Sequence, residues 1–306
     1  MVLYLFHSSS MPNRFYNNYK MCSSSFEVLR IYFDIASASL TILSSLAVIF
    51  VCLKYNFARV LSFRILFFMS INDVIRGAIT LFPKTSKYCG IILFIQNATY
   101  MSNLAWATCL SFILFQIIVK ELENFSKYFI YWLIYCIIFI PTVQILPLIT
   151  KTYTENDNTC LFQFNLTGTI FRYSLVYIPG TLMLIIMLIL YIKVYKKIKL
   201  VGVETVKSLI FDMGFIYPLI IAVTCVPLAI ARTVETITED CLMGVIAAIL
   251  DEFLILHGFI NSLVFFSNTS VRKCLGGKKE DFDLNVNDSF AQSSLKVSFR
   301  STFSVI

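Results

Sequence analysis

Long apolar blocks separated by short polar segments set the pattern of the chain. Seven blocks run over residues 35–53, 65–81, 90–119, 128–148, 174–192, 208–231 and 245–266. A helix of about 20 apolar residues matches the ~30 Å hydrocarbon core of a bilayer. Three polar residues, Asn72, Asp73 and Arg76, interrupt the second block, which is the weakest. The pattern predicts an all-α membrane protein that folds as a seven-helix transmembrane bundle.

Composition and charge agree with a membrane location. The chain is 58% hydrophobic and 14% charged, against about 25% charged residues in soluble domains, and its mean hydropathy is +0.78. With the N-terminus outside, sixteen Lys and Arg residues lie on inner segments and eight on outer ones. Cytoplasmic loops carry such an excess. We therefore expect a multi-pass plasma-membrane protein with an extracellular N-terminus, whose net charge of +7 requires no nucleic-acid partner.

The blocks divide the chain into three regions. Residues 1–30 are expected to form an extracellular segment that is too short to bury the core of a separate ligand-binding domain. Its apolar start is also too short for a cleaved signal. Residues 31–270 form the expected seven-helix domain. Residues 271–306 are expected to form a cytoplasmic amphipathic helix, with Val271 and Leu275 on its buried side, and a disordered Ser-rich tail. Cys274 is the candidate for palmitoylation, with a plain thiol as the alternative.

Two cysteines on the outer side are expected to form a disulfide. Cys89 lies at the outer mouth of the third block, and Cys160 lies in the outer loop after the fourth block. A bridge would tie this loop to the third helix, and the alternative is two unpaired thiols. The same loop contains a glycosylation sequon at Asn165. Pairing of Cys22 with Cys241 stays open because spacing does not fix connectivity.

Ionisable residues within the blocks are few. Each costs roughly 3 kcal/mol or more at the centre of a bilayer helix, so each needs a partner or a purpose. Asp73 and Arg76 lie one helical turn apart and can neutralise each other. The alternative is an ion or water site in the bundle interior, formed together with Asn72, His257 and Asn261.

Further acidic residues lie toward the ends of the blocks. Asp251 and Glu252 are adjacent and project about 100° apart on a helix, so at most one is expected to face a cavity. Such a residue would line a ligand entrance, and the alternative is that it simply contacts water. Asp34 and Asp212 lie near the ends of their blocks. We expect these two residues to reach the lipid headgroups.

Enzyme chemistry is not expected. His257 is the only histidine within a block, no His-Glu-x-x-His metal motif occurs, and no nucleophile elbow flanks His257. The seventh block also has no lysine for a retinal Schiff base. We therefore expect no catalytic residue, no metal and no cofactor.

The sixth block contains two prolines. In GFIYPLIIAVTCVPLAIAR, Pro218 follows Tyr217, Pro227 comes nine residues later, and Arg232 ends the run. Each proline removes a backbone donor, but within a bundle neighbouring side chains or water can bind the freed carbonyls. We expect bends that serve as a hinge, with a purely structural kink as the alternative.

Three stretches of the chain resemble G-protein-coupled receptors of the cyclic-AMP-receptor-like branch, known from slime moulds and other protists. They are LSFRILFFMSINDVI entering block two, FIYPLIIAVTCVPLAIAR in block six and LHGFINSLVF in block seven. The chain has Cys225-Val226 beside the second proline where the family usually has Trp, and His257 where it usually has Gln. The rhodopsin-like Asp-Arg-Tyr and Asn-Pro-x-x-Tyr signatures are missing. The resemblance covers residues 26 to 275, thinly between the motifs.

The resemblance implies a receptor that binds a small extracellular ligand and activates a heterotrimeric G protein when the sixth helix moves. An anionic ligand such as a cyclic nucleotide is one class. The ligand-facing candidates are Arg172, Arg232, Asp251 and Glu252, and the G-protein-facing candidates are Arg59, Arg64, Lys120, Lys196, Lys197 and Lys199. The alternatives are a membrane transporter or channel, and a seven-helix chemoreceptor of another branch.

Overall fold

The described parts of all seven apolar blocks are mainly helical. The computed structural model describes residues 13–57, 60–82, 86–120, 126–156, 159–163, 165–201, 216–238 and 241–276. Blocks one to three lie in α1 (Asn13–Lys54), α2 (Leu61–Thr80) and α3 (Ser86–Val119). Block four lies in α4 (Ser126–Ile134), a π-helical turn (Tyr135–Phe139), α5 (Ile140–Gln144) and α6 (Leu146–Ile149).

The remaining elements follow a short hairpin. Strands β1 (Tyr153–Asn156) and β2 (Thr159–Phe162) precede block five, which lies in α7 (Leu166–Arg172), a second π-helical turn (Tyr173–Tyr177) and α8 (Ile178–Val201). The described part of block six lies in α9 (Ile216–Thr238), and block seven lies in α10 (Cys241–Ile255) and α11 (His257–Ser267). A last short helix is α12 (Thr269–Leu275).

Five helical stretches of the described chain are long and apolar enough to cross a membrane. They are Arg30–Lys54, Tyr88–Val119, Tyr128–Ile149, Leu166–Lys197 and Val245–Ser267, and a shorter apolar helix covers Leu219–Ala231. The structure therefore confirms a mainly helical protein of membrane type, with one β-hairpin added. The expected boundary at residue 30 falls inside α1, whose helix already begins at Asn13.

The α3 helix lies at the centre of the fold. Of its apolar window 78% is buried, against 17% for the window in Leu166–Lys197. Trp106, Ala105 and Leu110 on α3 are almost completely buried. Large apolar side chains of α8, such as Leu182 and Leu188, are more than half exposed, so α8 presents a surface suited to lipid.

Each π-helical turn presents a backbone carbonyl to a polar side chain from another helix. Ser102 Oγ on α3 donates to the Cys136 carbonyl over 2.6 Å. Gln144 Nε2 on α5 donates to the Leu175 carbonyl over 2.9 Å. A π-turn disturbs the regular i to i−4 ladder, and every polar backbone group in a bilayer must be satisfied internally. These two side chains therefore make the irregular turns compatible with an apolar surrounding.

Block seven breaks between α10 and α11, at Leu256. The Ile255 carbonyl at the break accepts a hydrogen bond from Thr41 Oγ1 on α1, over 2.7 Å. Gly258 follows at a point of close approach: a Cβ there would lie 2.6 Å from Thr41 Cγ2 and 2.9 Å from Asp73 Cβ. Small residues at helix interfaces let backbones approach in this way. The break and the glycine together bring α1, α2 and α11 into contact.

The hairpin is attached to the end of α3. A disulfide joins Cys89 on α3 to Cys160 on β2, as expected, with the two Cα atoms 5.3 Å apart, a separation typical of such bonds. The rings of Tyr153 and Phe162 pack with centroids 5.0 Å apart. Burial raises the pKa of Tyr153 to about 12, and the neighbouring Asn97 amide opposes that shift. The hairpin is thus held to α3 by a covalent bond and by packing.

Candidate functional site

Polar side chains follow one face of α2. Ser70, Asp73 and Thr80 are buried, and Arg76 between them is half-buried. Spacings of three and four residues place these side chains one above another along the helix. Asn72 is half-buried and projects away from this row. The row meets polar groups of other helices at three levels. We call the level of Arg76 the outer site, the level of Asp73 the polar centre and the level of Ser70 the inner cavity.

The polar centre surrounds Asp73, which is 2% exposed. Asn103 Nδ2 on α3 donates to Asp73 Oδ1 over 2.6 Å. His257 Nδ1 on α11 lies 4.0 Å from the same oxygen, and Asn261 Nδ2 lies 3.1 Å from His257 Nδ1 and 3.2 Å from its Nε2. Three helices therefore share one chain of polar contacts in the middle of the apolar fold.

Asp73 and Arg76 take different partners. Asp73 contacts Asn103 and His257, while the Arg76 guanidinium lies over the Tyr100 ring, 5.8 Å from its centroid. In the described structure the two side chains therefore face different partners instead of each other. Asp73 belongs to the polar centre, and Arg76 belongs to the level above it.

The outer site gathers polar groups from four helices. Arg76 on α2, Cys225 on α9 and Asp251 on α10 all lie close enough to the Tyr100 hydroxyl of α3 to interact with it electrostatically. Cys225 is 2% exposed, and the other three side chains are half-buried. The site therefore combines a cation, a carboxylate, a phenol and a thiol.

The neighbouring carboxylate, Glu252, faces α1 instead. Ser37 Oγ donates to Glu252 Oε2 over 3.0 Å, and Asp34 and Arg30 lie next to the same carboxylate. The expectation that Asp34 reaches the headgroups is wrong, because its side chain is 8% exposed and packs toward α10. Adjacent helix positions diverge by about 100°, so Asp251 and Glu252 serve two different sites. Asp212 lies outside the described residues.

Arg172, one of the ligand-facing candidates, supports the hairpin. Its Nη2 donates to the Phe162 carbonyl over 3.1 Å, and its guanidinium lies 5.9 Å from the centroid of the Phe162 ring. The side chain of Arg232 falls outside the described part of the structure. Of the four candidates, Asp251 is the one that lies close enough to Tyr100 to interact with it.

The expected hinge falls on α9. This helix continues through Pro227. Tyr217 is 3% exposed. Pro218 lies in the first turn of the described part of α9. The structure therefore places one of the two prolines inside a regular helical segment.

The G-protein-facing candidates differ in exposure. Arg64 lies over the ring of Phe129, 5.2 Å from its centroid, while Lys197 is half-buried. Arg59 falls outside the described residues. The remaining candidates have exposed side chains: Lys120, Lys196 and Lys199.

The modification candidates lie at helix termini. Asn165 is exposed and caps α7, because its Oδ1 accepts from the Gly168 amide over 2.7 Å. Cys274 on α12 is half-buried against the core. Val271 is fully buried, but Leu275 is 44% exposed, so only one of the two expected apolar contacts of α12 is with the protein. The side chains of Cys22 and Cys241 and the tail from residue 277 lie outside the described part.

Several residues of these sites were not predicted from the sequence. Tyr100, Asn103, Ser37 and Thr41 all contact ionisable or broken segments of other helices. A search for charged residues passes over them because hydroxyl and amide side chains are common in membrane helices. Asn103 gave the clearest available signal, as an amide in the middle of an apolar block.

No protein-family model matches the chain, and no characterised protein matches it significantly. The resemblance to cyclic-AMP-receptor-like proteins therefore remains a prediction from three short stretches of sequence.

Proposed function

We propose that the protein is a seven-span plasma-membrane receptor, with its N-terminus outside, that binds a small ligand at the outer site and activates a heterotrimeric G protein. The observation that carries the proposal is the environment of Arg76. Its guanidinium lies over Tyr100, and among the described residues no carboxylate forms an ion pair with it. A receptor site would supply the missing anion from its ligand.

The energetic reasoning rests on the cost of a charge in a bilayer. A cation in a membrane helix is expensive, and such residues usually pair with an opposite charge or line an aqueous path. The face of an aromatic ring offsets only about 0.5–2 kcal/mol of that cost. A ligand carboxylate or phosphate would satisfy Arg76, and Asp251, which also interacts with Tyr100, would select ligands that also carry a hydrogen-bond donor.

Movement of α9 is the proposed link to the cytoplasmic side. Cys225 of the outer site lies two residues before Pro227, in the same helix. Proline kinks are common points of bending, so a ligand that displaces Cys225 would favour a different packing of α9. The exposed lysines of the inner segments, Lys120, Lys196 and Lys199, would then line the cleft for the G protein.

A G-protein dissociation assay in a host cell tests the proposal. Wild-type protein would be screened with cyclic nucleotides and small carboxylates, and Arg76→Gln would be measured with each active compound. Loss of one charge-assisted hydrogen bond costs about 1.5–3 kcal/mol, so the half-maximal concentration should rise at least about tenfold. Arg272→Gln, which changes an exposed arginine of α12, is the matched control and should leave the response unchanged.

A transporter is the rival function, favoured by one observation. The buried pair of Asp73 and His257, 4.0 Å apart, has the chemistry of intramembrane proton relays. Purified protein in liposomes would then move a solute, and Asp73→Asn would abolish that movement. Solute movement, combined with no G-protein response to any compound or to substitution of Pro218 or Pro227, would replace the receptor proposal with the transporter.

A further inference from the structure

A small cavity lies below the polar centre and touches four helices. Its volume is about 10 Å3, close to the space that a single water molecule needs. Three of its lining side chains carry hydrogen-bonding groups: Ser70 on α2, Tyr217 on α9 and Asn261 on α11. The rest of the lining is apolar and consists of Val48, Leu66, Met69 and Phe265.

Asn261 is the group in this lining that requires a donor. The residue is 7% exposed, and its Nδ2 is occupied by the His257 ring. Its Oδ1 is buried and has no hydrogen-bond partner among the protein groups. Leaving a buried acceptor without a donor destabilises the fold. An occupant of the cavity that donates a hydrogen bond would remove this cost.

The other two polar groups define what the occupant must be. The Ser70 hydroxyl already donates to the Leu66 carbonyl over 2.9 Å, so toward the cavity its oxygen can only accept. The occupant therefore needs one hydrogen for Asn261 and a second for Ser70. A phenol such as Tyr217 both donates and accepts. Water supplies two donors and accepts in return, and buried waters typically make about three such bonds.

We infer that this cavity is a specific site for one structural water molecule, which bridges α2, α9 and α11. The site differs from the outer site and does not depend on the proposed function. A divalent cation fits the same place poorly, because it takes six or more oxygen ligands, while four of the seven lining residues are apolar. The bridge connects Tyr217, the residue before Pro218, to two other helices.

X-ray hydroxyl-radical footprinting of the full-length protein in detergent tests the site, because a bound water generates radicals in place. Met69 lines the cavity and is 1% exposed, while Met101 on α3 is 2% exposed and does not line it. The matched burial makes Met101 the internal reference. Met69 should be oxidised several-fold faster than Met101. Equal or slower oxidation of Met69 would overturn the inference.

Two further arms identify the occupant. Ser70→Val fills the cavity and removes an acceptor, so the rate at Met69 should fall to that at Met101. Ser111→Val is the control, since Ser111 is equally buried and bonds only within its own helix, to the Ala107 carbonyl. Replacing choline chloride by sodium chloride should leave the rate at Met69 unchanged. A fall in sodium would show that the site binds a cation instead of water, and would also overturn the inference.

Discussion

The central helix α3 and the rim segment Leu166–Lys197 are both long and apolar, yet they lie in opposite environments. Their mean hydropathies are 1.7 and 2.5, and their windows are 78% and 17% buried. The more buried helix is the less hydrophobic one. Lipid solvates apolar side chains as well as a protein core does, so hydrophobicity does not determine which helix lies in the interior. That position is determined by polar groups that need hydrogen-bond partners. On α3, Ser102 and Asn103 form such bonds with neighbouring helices.

The strongest test adds one methyl group to a glycine at the packed centre of the fold, on α11, and to one in the rim segment. In Gly258→Ala the new Cβ would lie within 3 Å of atoms of Thr41 and Asp73, and overpacking costs about 1–3 kcal/mol. In Gly180→Ala on α8 the nearest atom, Leu104 Cδ2, would lie 3.6 Å away. Thermal unfolding in detergent should show a clear loss of stability for the first variant only. Equal melting temperatures would contradict the close approach at Gly258.

A second test compares two polar residues of α3 itself. Asn103→Leu keeps the volume but removes the donor to Asp73, which should cost about 1.5–3 kcal/mol because a buried carboxylate loses its partner. Thr108→Val removes a hydroxyl that bonds within the helix, to the Leu104 carbonyl. We expect Thr108→Val to be nearly neutral. Chemical denaturation in detergent measures both, and a Thr108→Val loss as large as that of Asn103→Leu would contradict the bridging role of Asn103.

A third, smaller effect is expected at the π-turn of the rim segment, which a polar side chain from α5 supports. Gln144→Leu removes the donor to the Leu175 carbonyl, but it also removes Gln144 Oε1, a buried acceptor without a hydrogen-bond partner. The loss and the gain partly cancel, so the net cost should stay below about 1 kcal/mol. Hydrogen exchange should still show faster opening at Tyr173–Tyr177 than in wild type. Unchanged exchange there would remove the supporting role of Gln144.

The last effect is expected only at high pH and lies outside the membrane-spanning helices, at the hairpin. Burial raises the pKa of Tyr153 from 10.0 to about 12, so the folded protein holds this proton to higher pH than the unfolded chain. The stabilisation is complete below pH 10 and is lost as the pH rises toward about 12. Between these values the melting temperature of wild type should fall more than that of Tyr153→Phe. Parallel curves would contradict the burial of this phenol.

The membrane character and the positions of the helices could be predicted from hydropathy alone. The described part of each apolar block is mainly helical, because a bilayer leaves the backbone no other partner within the segment. The bridge between Cys89 and Cys160 was also predictable, since Cys89 lies beside the start of block three and Cys160 lies in the loop after block four, which the pattern puts on the same side. The hairpin was not predicted, because its residues show little strand alternation.

The polar sites were predicted only in part. Asp73, Arg76, His257 and Asn261 stand out as costly residues, but the sequence does not show which helix will supply their partners. Asn103 lies 30 residues from Asp73, and Ser37 lies 215 residues from Glu252. Such pairs depend on helix rotation and depth, which are set by packing of the whole fold. The prediction for Asp34 was wrong for this reason. Its position along the helix could be predicted, but the direction in which its side chain points could not.

The bond between Asn103 and Asp73 has a consequence for how the chain is made. These residues lie on α2 and α3, which are consecutive along the chain and therefore leave the ribosome long before His257. Without this bond, the carboxylate would remain in the bilayer without a partner while about half of the protein is still to be synthesised. Pairing within the first hairpin of helices shields it at once. Asn103 would thus act first during membrane insertion and only later in the finished bundle.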